Sequence, residues 1–116
     1  MEQIIQRDLD KHRSLLSAAR GDLAAFRTAR AHEIQKKRHY SKLIGGGKFN
    51  DHSLRVARGQ MNINIRHMSD KADTAERSIA HETEIVDTLA MQLKNQMAGL
   101  VRLAEHRREN GDAAAN

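Results

Sequence analysis

Three consecutive glycines, Gly45–Gly47, divide a chain of 116 residues that contains no proline. Proline breaks helix interiors and makes up about 5% of average proteins, so its absence favours long, uninterrupted helices. Glycine has the largest backbone entropy cost in a helix and accepts positive φ, so a helix is expected to end at the triplet. Asn50, Asp51 and Ser53 then offer side chains that cap the start of a second helix.

Apolar residues recur at helical spacing on both sides of the triplet. In the first segment, six of the first eight places of a four-three repeat are apolar; the eighth, Arg30, begins a run of three charged places with Glu33 and Lys37. In the second segment, twelve of the sixteen places in two parallel heptad rows are apolar. Sustained heptads are typical of coiled coils. The two rows are Leu54, Met61, Met68, Ala75, Glu82, Leu89, Gln96 and Leu103, and Arg58, Ile65, Ala72, Ile79, Val86, Leu93, Leu100 and Arg107.

These patterns predict one all-α domain, an antiparallel helical hairpin or coiled coil over residues 1–110. We expect a first helix at about 2–43, a glycine-rich turn at 44–51 and a second helix at about 52–109. A small, polar, disordered tail is expected at 111–116.

The end of the second helix is predicted to lack a partner within the chain. Folding at Gly46 places Ile5 opposite about Asp87, so residues beyond about Leu93 have no predicted neighbour. Leaving their apolar surface in water forgoes on the order of several kcal/mol, at about 25 cal/mol per Å2. We therefore predict a homodimer that forms a four-helix bundle. The residues expected at this oligomerisation or partner surface, here called the C-terminal stripe, are Leu89, Leu93, Met97, Leu100 and Leu103.

The net charge of +5 is concentrated in the middle of the chain. Residues 1–26 are neutral, residues 27–66 hold ten basic and two acidic side chains, and residues 67–116 hold six basic and nine acidic ones. In a hairpin the middle of the chain is the turn end, so a basic end is predicted. Such an end attracts an acidic protein surface or nucleic-acid phosphate, although a solvated helix face is the plainer alternative. The predicted binding residues, here called the basic tip, are Lys36, Lys37, Arg38, Lys42, Lys48, Arg55 and Arg58.

Polar residues inside the apolar rows have a separate interpretation. His12 occupies a place in the first repeat, where it would set register or contact a second copy. Histidine changes charge near physiological pH, so this position would make assembly pH-sensitive. Glu82 and Gln96 are expected to fix register, since apolar places flank each of them.

The sequence gives little support for catalysis, nucleotides or metals. Gly45–Gly47 precede Lys48, but Phe49 follows where a phosphate-binding loop needs Ser or Thr, and a helix rather than a strand comes before. The seven histidines form at most two-ligand pairs with nearby carboxylates on one helix face, too few for a metal site. There is no cysteine and no nucleophile-elbow motif. We predict no enzyme, no cofactor, no metal site and no small-molecule substrate.

The expected function is therefore that of a non-enzymatic coiled-coil interaction protein that docks the basic tip on an acidic partner. A nucleic-acid-binding dimer is the alternative. Aromatic residues that could stack on bases are few in the basic region, namely Tyr40 and Phe49. In architecture alone, a small basic hairpin also resembles the central stalk subunits of secretion ATPases, and small phage or plasmid accessory proteins that inhibit or recruit a host protein. No signal-peptide or membrane-spanning pattern occurs, so a cytoplasmic protein without a membrane partner is expected.

Overall fold

A computed structural model describes the backbone of residues 2–115 and the side chains of residues 2–111. Two α-helices make up nearly all of this part of the chain: α1 spans Glu2–Leu43 and α2 spans Asp51–Ala115. No strand occurs among these residues, so the predicted all-α class is confirmed. Over the same residues, neither helix has a segment of the length and hydropathy needed to cross a membrane.

The second helix continues past its predicted end at residue 109. The predicted disorder of residues 111–116 falls mostly on residues whose side chains lie outside the described part, and it stays a prediction. The predicted coiled-coil packing and the dimeric four-helix bundle also stay predictions.

The turn between the helices depends on its glycines and on two side-chain caps. Gly45 and Gly47 have φ of 83° and 76°, a region that residues with a Cβ rarely adopt. The Gly45 amide donates to Oδ1 of Asp51 at 2.9 Å. Oδ1 of Asn50 accepts from the amides of His52 at 2.9 Å and Ser53 at 3.3 Å, which makes Asn50 the N-cap of α2. The chain reverses here because left-handed backbone ends α1 and the Asn50 cap starts α2.

The helices form two compact units. Unit 1 comprises Met1–Leu16 and His81–Asn116, and unit 2 comprises Ser17–Ala80 with the turn. In each unit a part of α1 packs antiparallel against a part of α2.

Unit 2 is a helical hairpin with a narrow core. Its buried apolar residues all come from α2, and α1 covers them with half-buried side chains. Arg27 Nη2 donates to Glu76 Oε1 at 2.8 Å, and Asn64 Nδ2 donates to Glu33 Oε2 at 3.3 Å. These two contacts show that the helices run antiparallel in unit 2, because the residue number rises along α1 while that of its partner falls along α2. The buried residues are Leu54, Met61, Ala72 and Ala75.

Unit 1 has a core formed from the first turns of α1. Leu9 and Leu16 are 2% and 8% exposed and face half-buried residues of α2. Glu2 lines the same groove as Gln96 and Leu103. The pairing therefore reaches beyond Leu93, the limit that the sequence predicted, because side chains of antiparallel helices interdigitate over more than one turn.

The inward side of α2 follows the two predicted heptad rows as far as Gln96. Every member of the rows up to that residue is buried or half-buried. From Met97 to Gly111 every residue is exposed. In the first segment, Arg30 is exposed and Ala29 is half-buried instead, whereas the charged places Glu33 and Lys37 that follow are half-buried.

Replacing Gly47 by alanine should destabilise the fold by about 1–2 kcal/mol, because its φ of 76° is costly for a residue with a Cβ. Gly21→Ala is the matched control. A Cβ at Gly21, inside α1, would meet no atom within 4 Å, so this change should stabilise by up to about 1 kcal/mol. Urea unfolding followed by circular dichroism measures both. Equal effects of the two substitutions would contradict the proposed role of the turn.

Candidate functional site: the basic tip and the C-terminal stripe

All seven residues of the basic tip lie in unit 2, around the turn. Four belong to the last turns of α1, Lys48 lies in the turn itself, and Arg55 and Arg58 follow in the first turns of α2. Lys37 and Arg58 are half-buried, and the other five are exposed. The seven cations thus lie on both sides of the turn and span 22 positions of the sequence, from Lys36 to Arg58.

The two acidic residues of the basic segment 27–66 are both engaged within the fold. Glu33 accepts from Asn64 and, at 3.2 Å, from Nζ of Lys36. The hydrogen bond from Asn64, followed by that from Lys36, lowers the pKa of Glu33 below its ordinary value. Asp51 accepts from the Gly45 amide in the turn. Both carboxylates thus accept hydrogen bonds within the fold, and together they balance only two of the ten basic charges of this segment.

Lys36 is the one member of the basic tip that forms an ion pair among the residues with described side chains. Its bond to Glu33 is a pair between neighbours on one helix face, and such exposed pairs contribute little stability. The other six cations have no carboxylate partner in this part of the chain.

A groove lies beside the cations of α1. It measures about 520 Å3 and has an aliphatic residue from each helix, Ile34 of α1 and Ile65 of α2. Both isoleucines are half-buried. The polar lining comes entirely from α1 and consists of Lys37, Arg38, Ser41 and Lys42. This combination of an aliphatic surface and a cationic rim was not predicted from the sequence. The signal that could have revealed it is the isoleucine three residues before Lys37.

The C-terminal stripe is only partly covered within unit 1. Leu89 and Leu93 are half-buried, and Leu93 lines a groove with Leu9 and Met97. Met97 is 55% exposed. Leu100 and Leu103 lie beside Glu2 but remain 51% and 44% exposed. Val101, an apolar residue of the same segment, is 57% exposed.

Gln96 lies where the covered and uncovered parts of α2 meet. Its Oε1 is buried and has no hydrogen-bond donor among the described residues. A buried amide oxygen without a donor costs about 1–3 kcal/mol. The sequence predicted a register-fixing role for Gln96, and the structure shows no partner in this part of the chain through which it would act.

His12 and Glu82 form a pair that the sequence did not predict. Nδ1 of His12 lies 2.6 Å from Oε2 of Glu82, with the imidazole as donor because a carboxylate only accepts. Their side chains are 23% and 15% exposed. His12 therefore has an intrachain partner. Both residues were separately predicted to set register, and the sequence holds no local signal that pairs them.

Histidines, acidic residues and aromatic rings are the remaining candidate groups. Among the residues with described side chains, no three His, Asp or Glu residues come close enough to hold a metal ion. Tyr40 makes an edge contact with His39, with ring centroids 6.1 Å apart, and Phe49 is exposed. In unit 2, Nζ of Lys71 lies 5.6 Å from the ring centroid of Phe26, beside a groove of about 370 Å3.

Comparison with known proteins finds no matching family model, curated protein or solved structure.

The contact between His12 and Glu82 should contribute more to stability than the exposed ion pair between Arg27 and Glu76. Replacing either His12 or Glu82 by alanine leaves a half-buried partner unsatisfied, and each change should cost about 1–3 kcal/mol. The double change to leucine should recover most of this loss. Arg27 and Glu76 are 62% and 51% exposed, so their coupling should stay below about 1 kcal/mol. Double-mutant cycles from urea unfolding measure both couplings, and equal values would refute this ranking.

Proposed function

We propose that the chain is a non-enzymatic interaction protein that docks its basic tip on an acidic surface of a partner protein. The observation that supports this function is the imbalance around the turn. Ten cations lie in residues 27–66, and both acidic residues there are engaged by the fold. A surface of one sign steers an oppositely charged partner and speeds association.

We further propose that the protein self-associates through the C-terminal stripe. Met97, Leu100 and Leu103 are exposed at the end of unit 1, and Val101 adjoins them. Contiguous exposed apolar residues mark interaction surfaces, and a second copy offers the same surface in return. A homodimeric four-helix bundle would cover this surface and would present two basic tips.

A nucleic-acid-binding dimer is the alternative function. Six cations of the basic tip have no carboxylate partner among the described residues, which favours this alternative. Positively charged side chains are sufficient for contacts with phosphate. Base recognition through stacking has little support, since Tyr40 and Phe49 are the only aromatic rings close to these cations in the sequence. A function as the central stalk of a secretion ATPase, which the architecture resembles, would require a monomeric hairpin instead.

Reversing the charge of Lys36, Lys37 and Arg38 to glutamate should abolish capture of an acidic partner from the source cell. The matched control reverses Arg7, Lys11 and Arg20, three exposed cations of α1 outside the basic tip, so that net charge is the same in both variants. Capture should persist in that control and should weaken as salt is raised.

A gel shift with duplex DNA at low salt separates the two functions. Little retardation by the wild-type chain is the expected result. Strong retardation that is lost in the tip variant and kept in the control would overturn the protein-docking proposal in favour of nucleic acid. Capture that is lost equally in both variants would also contradict it, because the effect would then reflect net charge alone.

A further inference from the structure

We propose that the groove beside the basic tip receives an aliphatic side chain from an acidic amphipathic helix of the partner. This inference rests on the proposed docking function and names the chemistry of the surface that docks. The groove is the one between Ile34 and Ile65, with Lys37, Arg38 and Lys42 on its rim.

The aliphatic surface of the groove is the first reason for this assignment. Ile34 and Ile65 come from different helices and both remain half-buried, so part of each side chain still contacts solvent. Covering aliphatic surface is favourable by about 25 cal/mol per Å2. A phosphate backbone has no aliphatic group to place there, whereas a leucine or isoleucine side chain fills such a space.

The spacing of the cations is the second reason. Arg38 and Lys42 are four residues apart on α1, so they lie one above the other on the same helix face. Carboxylates four residues apart on a partner helix have the same spacing. An aliphatic residue between them would then point into the groove while the carboxylates meet the two cations. None of Lys37, Arg38 and Lys42 has a carboxylate partner among the described residues that would compete.

This groove differs from other grooves of the molecule in the charge of the residues that line it. The groove at Phe26 in unit 2 is lined by Asp22 and Asp70 as well as Lys71, so it selects no single sign of charge. The groove at Leu93 in unit 1 has Arg13 and Lys94 on its border, but it belongs to the surface assigned above to self-association. The groove between Ile34 and Ile65 combines one sign of charge with an aliphatic surface outside that region.

The test uses the full chain and three synthetic probes at one salt concentration. The first is a short helical peptide with a leucine flanked by glutamates at helical spacing. The second has glutamine in place of that leucine, and the third is duplex DNA. Calorimetry measures affinity, and methyl NMR of the isoleucines locates the probe. The leucine peptide should bind at least about tenfold tighter than the glutamine peptide and should shift the Ile34 and Ile65 methyl signals.

Two variants test the location of the binding site. Replacing Arg38 and Lys42 together by glutamine should reduce binding of the leucine peptide by about tenfold or more. Replacing Lys48 and Arg55, two exposed cations of the basic tip that do not line the groove, should have a smaller effect. All four residues are exposed, so the variants should keep the wild-type helix content.

The outcomes separate this inference from the function on which it rests. Equal binding of the leucine and glutamine peptides would overturn the groove assignment and leave docking on an acidic surface intact. Binding of DNA alone would overturn both. Tight binding of the leucine peptide without shifts at Ile34 and Ile65 would also overturn the assignment, because the peptide would then lie elsewhere.

Discussion

The unequal length of the two helices determines how much of α2 is covered within the chain. The turn reverses the chain after a first helix of 42 residues, and the second helix has 65. The residues of α1 in unit 1 can cover only part of α2, and the cover ends near Gln96. Apolar residues continue past that point, so the covered part of α2 forms the fold while the uncovered part is available for assembly.

A second consequence of packing only two helices is a thin core, so that a few contacts carry much of the specificity of packing. Leu9 is the most deeply buried large side chain, and no polar or charged residue among those described is fully buried. Against this background the half-buried contact between His12 and Glu82 joins α1 to α2 at one defined pair of positions in unit 1, whereas apolar contacts alone tolerate sliding. The exposed pair of Arg27 and Glu76 in unit 2 provides less of this specificity.

Much of the fold could be predicted from the sequence because its signals are local. The glycine triplet requires positive φ at Gly45 and Gly47, and the heptad rows of α2 follow from one helix alone. The contact between His12 and Glu82 could not be predicted in the same way, since it depends on a register that shifts with each residue of the turn. The groove at Ile34 and Ile65 was missed for a related reason. Predicting this groove requires knowing which residues of two separate helices become neighbours. The cations, by contrast, can be predicted from the composition of one stretch of sequence.

We propose that a second copy of the chain covers α2 beyond Gln96. The molecular mass of the protein in solution tests this proposal. Light scattering across a range of concentrations should give about twice the 13.1 kDa of one chain. Leu103→Glu should shift the mass toward the monomer, whereas Leu15→Glu should not. Both leucines are 44% exposed, but Leu15 lies outside the C-terminal stripe. Self-association through the C-terminal stripe would be contradicted if the wild-type chain stays at the mass of one copy at every concentration. It would also be contradicted if both substitutions cause equal dissociation.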